Sequence, residues 1–313
     1  MSNKKFMVKC IMALMLCIIG LTSCGNDNKI PANEIHYTTI DNSVLPIKNL
    51  FYFGEGRIVS NSYVPDKNVC ILKLDKDVTE IGEEPFNDCE SLTTITIPPS
   101  VTEIEEGAFK GCRNLTFITL PESLTKIEKE VFSDCYRLRS ISIPESVTKI
   151  GEKAFSGCSS LTSITIHPSV WGIGWDAFSG CSSLTSITVS KENKFYDSRE
   201  DCNAIIDTEC NTLERGCMNT VIPPSVTKIG SCAFSDCSSL TSISIPSSVT
   251  EIEYSAFSGC SSLTSISIPE SVTEIEGWAF SGCSSLTEVR IPKGCNVHEY
   301  AFSNSRNVEI IRY

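Results

Sequence analysis

"AFSGCSSLTSI" occupies residues 154–164, recurs unchanged at 177–187 and 256–266, and returns with small edits five more times. The phenylalanines at 86, 109, 132, 155 and 178 lie 23 residues apart, Phe234, Phe257 and Phe280 keep that spacing, and Phe302 follows 22 later. A fixed period of this length marks a solenoid, in which each unit buries little alone and stacking on its neighbours completes the core.

Within the unit, "LTSITI" (161–166) alternates strictly: Leu161, Ile164 and Ile166 point inward, Ser163 and Thr165 outward. That is the period of a strand with one buried face. Pro144, Pro246, Pro269 and Pro292 end the strand, because proline has no amide to give a ladder. A second apolar set, Val147, Ile150, Ala154 and Phe155, is expected to line the other wall of the coil.

The recurring "IPxSVTxIGxxAFxGCxSL" resembles the leucine-rich repeats, and among them the 23-residue Treponema pallidum type of BspA-like bacterial surface proteins. The resemblance covers roughly residues 70–313. It implies an α/β-type repeat solenoid: a curved right-handed coil with a parallel β-sheet on the concave face and a mostly irregular or short-helical convex side. Around ten coils at a strand spacing of about 4.8 Å give a body about 45–50 Å long.

Seventeen cysteines stand beside only three histidines. Cys89, Cys112, Cys135, Cys158, Cys181, Cys237, Cys260 and Cys283 share one column, three residues after the phenylalanine, and are expected to form an inward structural ladder whose thiols serve turn carbonyls. Disulfides between neighbours are an alternative, since export favours oxidation, but parallel side chains fit the required dihedral poorly. Cys202, Cys210 and Cys217 lie off the ladder, where a local disulfide, 202 to 210 first, stays open. The repeat period accounts for the cysteine spacing and there is no C-x-x-C, so no metal is expected.

The chain opens with Lys4, Lys5 and Lys9 before "CIMALMLCIIGL" (10–21), a run too short to span a bilayer. "LTSC" (21–24) resembles the lipobox of bacterial lipoproteins, with Cys24 the acylated residue, so residues 1–23 are expected to be a lipoprotein signal peptide. An outer-membrane lipid anchor follows, with the chain at the cell surface; Asp27 is weak support for surface export, and the periplasmic face is the rival. The formal net charge is −12, and loss of residues 1–23 removes three lysines and no acid. Such a surface repels nucleic acid.

The remaining boundaries are read from composition and phase. Residues 24–34 form a polar tether, 35–69 an N-terminal β cap of alternating segments, and 70–189 repeat coils. Residues 190–222 form an enlarged coil with hairpin strands at 204–207 and 211–214, residues 223–295 further coils, and 296–313 a C-terminal cap in which Ser305 replaces the ladder cysteine.

Chemistry is sparse. His36, His167 and His298 fall in the two caps and mid-stack, and the chain has no phosphate-binding glycine loop and no H-E-x-x-H. No enzyme activity and no cofactor is expected. The outward strand positions form a hydroxyl carpet broken by Phe117. Trp171, Trp175, Tyr254 and Trp278 stand in columns that otherwise hold Thr, Glu and Lys, and exposed aromatics of this kind anchor protein and sugar partners. The resulting expectation is an adhesion or binding module for a host matrix protein or other cells, with a glycan-binding accessory lipoprotein as the alternative.

Overall fold

Two apolar motifs in each repeat become two strands on different walls of one coil. In Ser163–Ile166 the serine and threonine are exposed while Ile164 and Ile166 are buried. The shorter "KI" motif, as in Lys149–Ile150, points its lysine out and its isoleucine in. Both pair in parallel with the same motif one repeat away: Ser163 opposite Ser186 and Ile166 opposite Val189, Lys126 opposite Lys149 and Ile127 opposite Ile150. The computed structural model describes residues 30–47, 52–306 and 308–313. Within these the chain forms a β-solenoid of about ten turns. The segment expected to be a signal peptide and Cys24 lie outside the described residues.

The wall carrying the phenylalanines is neither sheet nor helix. Among the described residues the helical segments are the short 3-10 turns Pro65–Lys67 and Arg199–Asp201, and the wall expected from sequence to be mostly irregular or short-helical is a run of turns. The regular coils from Glu84 to Gly282 place two left-handed residues four apart: Glu84 and Asp88 (φ 57° and 53°), Lys153 and Gly157 (52° and 75°), Ser255 and Gly259 (53° and 72°). A right-handed helix cannot pass through such points. The amides bond across to the next coil instead, Phe132 N–H to Ala154 O at 2.8 Å and Asp134 N–H to Ser156 O at 2.7 Å.

The phenylalanines stack along the body. Phe86, Phe109, Phe132, Phe155 and Phe178 have consecutive ring centroids 5.1 to 5.7 Å apart and planes within 17° of parallel. Phe234, Phe257, Phe280 and Phe302 repeat the arrangement. Each offset-stacked pair adds about 0.5–1.5 kcal/mol to the area its rings bury. Phe53 closes the N-terminal end edge-on against Phe86 at 6.1 Å.

Residues Glu34–Thr39, Ile58–Val64 and Val69–Leu74 form an antiparallel cap, and Glu34–Thr39 also pairs antiparallel with the coil strand Leu92–Thr96. The antiparallel block thus runs to Leu74, past residue 69. The long-strand wall falls into three blocks of sheet, because the segments around Ile141 and Ile243 bury apolar residues without strand pairing. In the enlarged coil, Ile205–Asp207 and Thr212–Arg215 pair antiparallel, and Thr212–Arg215 then rejoins the parallel ladder opposite Lys228 and Ile229. The core divides at this coil into two clusters, one from Ile35 to Ile205 with Cys217, the other from Cys202 to Ala301.

Candidate functional site

The column cysteines bond backbone. The thiols of Cys112, Cys135, Cys158 and Cys181 donate to Phe86, Phe109, Phe132 and Phe155 O of the preceding coil at 3.0 to 3.3 Å. Cys260 and Cys283 do the same to Phe234 and Phe257 O at 3.2 Å. Burial pushes their thiols up, Cys181 and Cys283 to about 12, so they stay protonated and weakly reactive. Cys202, Cys210 and Cys217 are likewise free thiols, so none of the pairings left open by the sequence is made. No group of three His, Cys, Asp or Glu side chains among the described residues is placed to hold a metal ion.

The pattern breaks at Arg215. The enlarged coil shortens its turn wall after Leu213 and supplies no phenylalanine to the stack, its Phe195 being exposed, which interrupts the ring stack between Phe178 and Phe234. Gly216 stands against Phe234, where an added Cβ would come within 2.2 Å of the ring. The Arg215 side chain fills part of the gap. It is 4% exposed, and its guanidinium donates to Cys232 O at 3.0 Å and Ser235 O at 3.3 Å. Beside it lies a recess of about 290 Å³ lined by Trp175, Asp176, Glu214, Arg215, Ser231 and Glu253. Asp176 Oδ1 and Arg215 Nε are buried there without hydrogen-bond partners. Desolvation, then the charges of Asp207 and Glu253, push the Glu214 carboxyl up to about 7.

The four aromatics singled out from the sequence are at the surface: Trp171 52%, Trp175 50%, Tyr254 41% and Trp278 39% exposed. Lys153 Nζ lies 5.3 Å from the Trp175 ring centroid, a cation–π contact. Tyr254 packs on Trp278 at 5.4 Å, and Trp278 stacks on Tyr300 at 5.3 Å with planes 23° apart. His298 completes the group, 6.2 Å from Trp278 and 5.5 Å from Tyr300. Column counting missed Tyr300 and His298. The signal for Tyr300 was present in the 23-residue register, because Tyr300, like Trp278, immediately precedes the recurring Ala-Phe pair. Trp278 has φ 57°, a left-handed backbone that bulky residues seldom adopt.

Phe117 stands elsewhere, half-buried on Phe117–Thr119 in the long-strand wall. The hydroxyl rows share that wall, with Ser163 opposite Ser186 and Thr165 opposite Thr188. Part of the carpet is covered: the cap residue Thr38 hydrogen-bonds Thr93 and Thr94.

A family model described as "BspA type Leucine rich repeat region" matches residues 72–202 and 205–313, in six copies. A leucine-rich cell surface protein of Faecalibacterium prausnitzii A2-165 is 26% identical, with 93% of this chain and 96% of that one covered and a TM-score of 0.51. A leucine-rich repeat protein of Eubacterium ventriosum ATCC 27560 is 24% identical over 75% and 71% of the two chains, TM-score 0.60. The pneumococcal vaccine antigen PcpA is 20% identical over 82% and 77%, TM-score 0.53. The last two likenesses are of fold alone. No curated protein matches the chain. With its repeats matched across most of its length, the chain belongs to the BspA-type leucine-rich repeat family.

Proposed function

We propose that the chain is an exported, lipid-anchored binding module of the cell envelope that engages a host matrix protein or another cell through exposed aromatic side chains, with no chemistry of its own. The observation that carries this reading is the row Tyr254, Trp278 and Tyr300, large rings held at the surface on consecutive coils. Exposed aromatics clustered this way are the side chains that contribute most to protein contacts. The family supports a binding role, and the Faecalibacterium neighbour is described as a cell surface protein. The apolar run closed by Cys24 supports an anchored, outward-facing chain.

Binding of the full chain to immobilised matrix proteins, compared with the Trp175→Ser/Tyr254→Ser variant, tests the reading. Undiminished binding by the variant overturns it. A glycan-binding role is the second reading, favoured by Trp171, whose half-exposed ring has no aromatic partner among the described residues. It predicts quenching of tryptophan fluorescence by soluble oligosaccharide, lost in Trp171→Ser. Protease clipping of the repeats on intact cells, with a periplasmic protein protected, separates surface from periplasmic placement.

A further inference from the structure

The outer face of the coils bears ion pairs and unpaired acids together. On the N-terminal coils Lys110 pairs with Glu130, Lys129 with Glu106 at 2.7 Å and Lys153 with Glu152 at 3.6 Å, while Glu83, Glu105 and Glu128 form no ion pair among the described residues. Beyond the break, Glu253, Glu274, Glu276 and Glu299 form no ion pair among the described residues, and the one pair on these coils joins Lys228 to Glu251 at 2.6 Å. The acids are also held in place. Glu253 Oε2 accepts the amide and hydroxyl of Ser231, each at 3.1 Å, and Glu276 Oε2 accepts the Tyr254 amide at 2.8 Å. One oxygen of each carboxylate is thereby fixed to the preceding coil and the charge stays on the surface.

These carboxylates alternate with the aromatic row. Along the axis the order is Trp175, the recess, Glu253 and Tyr254, then Glu276, Trp278 and Tyr300. The row already holds one cation, since Lys153 Nζ lies over Trp175. Inside the recess a buried acceptor, Asp176 Oδ1, and a buried donor, Arg215 Nε, have no partners, although Arg215 as a residue is 4% exposed. A peptide entering with a cationic side chain brings both complements: N–H donors for Asp176 and a backbone carbonyl for Arg215.

We propose that this stripe, from Trp175 to Tyr300, docks a Lys- or Arg-rich segment of a partner protein, with one cationic side chain seated in the recess and others lying against Glu253, Glu276 and the Tyr254–Trp278–Tyr300 rings. The inference deepens the protein-binding reading above and rests on it. Charge complementarity commits the occupant: fixed, unpaired carboxylates beside rings select cations and repel acidic chains. A sugar fits this part of the row poorly. Trp278 and Tyr300 stack on one another at 5.3 Å and Tyr254 lies against Trp278 at 5.4 Å, which leaves less open ring face for a sugar to stack on.

The test uses the full chain and three synthetic peptides, hexa-arginine, hexa-glutamine and hexa-glutamate, followed by tryptophan fluorescence and calorimetry. Two variants remove the same number of charges: Glu253→Gln/Glu276→Gln on the stripe and Glu106→Gln/Glu152→Gln at ion-paired acids of the N-terminal coils. Glutamine keeps an oxygen for the Ser231 and Tyr254 amides, and circular dichroism checks that both variants fold. The expected result is binding of hexa-arginine alone, weakened roughly tenfold by the stripe variant and unchanged by the other, as specific rather than diffuse charge attraction requires. Equal weakening by both variants, or equal binding of hexa-glutamine, overturns the proposal. If the full chain binds a matrix protein and the stripe variant binds it equally well, the stripe assignment fails while the binding role stands. If the chain binds no matrix protein, the role itself fails.

Discussion

The Cys112 thiol donates to the Phe86 carbonyl of the preceding coil at 3.0 Å, and that same oxygen accepts the Cys89 amide at 3.1 Å. A buried carbonyl has two acceptor sites, and here one is met within the coil and the other by the next coil. At the end of the stack the Ser305 hydroxyl makes the same bond to Phe280 O at 2.7 Å. Cys158→Ala therefore leaves Phe132 O with one donor and opens a sulfur-sized void. The expected loss is about 1–3 kcal/mol in urea denaturation. A loss within error of zero would mean that the column is kept for something other than this bond.

Thiol reactivity follows from the same burial. Of the described cysteines Cys210 is exposed, while burial pushes Cys181, Cys232 and Cys283 up to about 12 and Cys89 to about 11. The thiolate is the reactive form, so at pH 8 these four are almost wholly protonated. A short pulse of iodoacetamide on the native chain should label Cys210 among the described thiols and leave the column unmodified until denaturant is added. Labelling of Cys158 in the native pulse, read by mass spectrometry, would contradict the buried column.

Much of this fold was legible because the chain states it repeatedly. Phase alone located Phe155, Cys158, Leu161 and Ile164, and all four are buried. The helix-free turn wall was harder to foresee, since Glu84, Lys153, Ser255 and Trp278 take left-handed backbone without being glycine. The glycines at 111, 157, 180, 259 and 282, four residues further on, were the available signal for a chain of turns. At the candidate surface, single residues were legible and their contacts were not. Tyr254 and Trp278 stand one column apart in the repeat, so that column logic separates them, yet their side chains meet across adjacent coils. Arg215 was invisible for a different reason: it lies in the segment where the repeat fails, and nothing periodic marks a charged residue there as buried.

The division of the core at the enlarged coil predicts unequal responses to equivalent substitutions. Phe155→Ala and Phe257→Ala each remove a fully buried, stacked ring at a cost of about 3–5 kcal/mol. In a solenoid the loss is felt most by neighbouring coils. Hydrogen exchange should show faster amides over the Phe109–Phe178 coils in the first variant and over the Phe234–Phe302 coils in the second. Uniform acceleration across the chain in both would show that the two clusters unfold as one unit.

Glu214 gives a pH dependence of definite sign. Its ordinary value of 4.5 applies to the unfolded chain; in the folded chain Glu214 is exposed at the surface, and partial loss of solvation with the nearby charges of Asp207 and Glu253 raises it to about 7. Between these values the folded chain holds a proton that the unfolded chain has released, so this group's contribution to stability falls as pH rises through that window. Glu214→Gln removes the penalty. The variant should exceed the parent in urea midpoint at about pH 8 and match it at about pH 3, where the carboxyl is neutral in both states. A stabilisation independent of pH would assign the effect to packing instead of charge.

Trp278 presents a conflict between local backbone and side chain that a single substitution can resolve. Its φ of 57° belongs to the left-handed region, where a non-glycine residue pays about 1–2 kcal/mol. The equivalent place one residue before Ala108 is held by Gly107, with φ 64°, so the coil accepts glycine here without change of path. The ring is 39% exposed and packs on Tyr254 and Tyr300, contacts that return part of that strain. Trp278→Gly relieves the strain and loses the ring packing, and the two terms oppose. The expected net change in unfolding free energy is within about 1 kcal/mol, while binding of hexa-arginine weakens severalfold. That combination would identify Trp278 as kept for its surface. A loss above about 3 kcal/mol would make its ring part of the core that holds the last coils together, and the surface role would pass to Tyr254 and Tyr300.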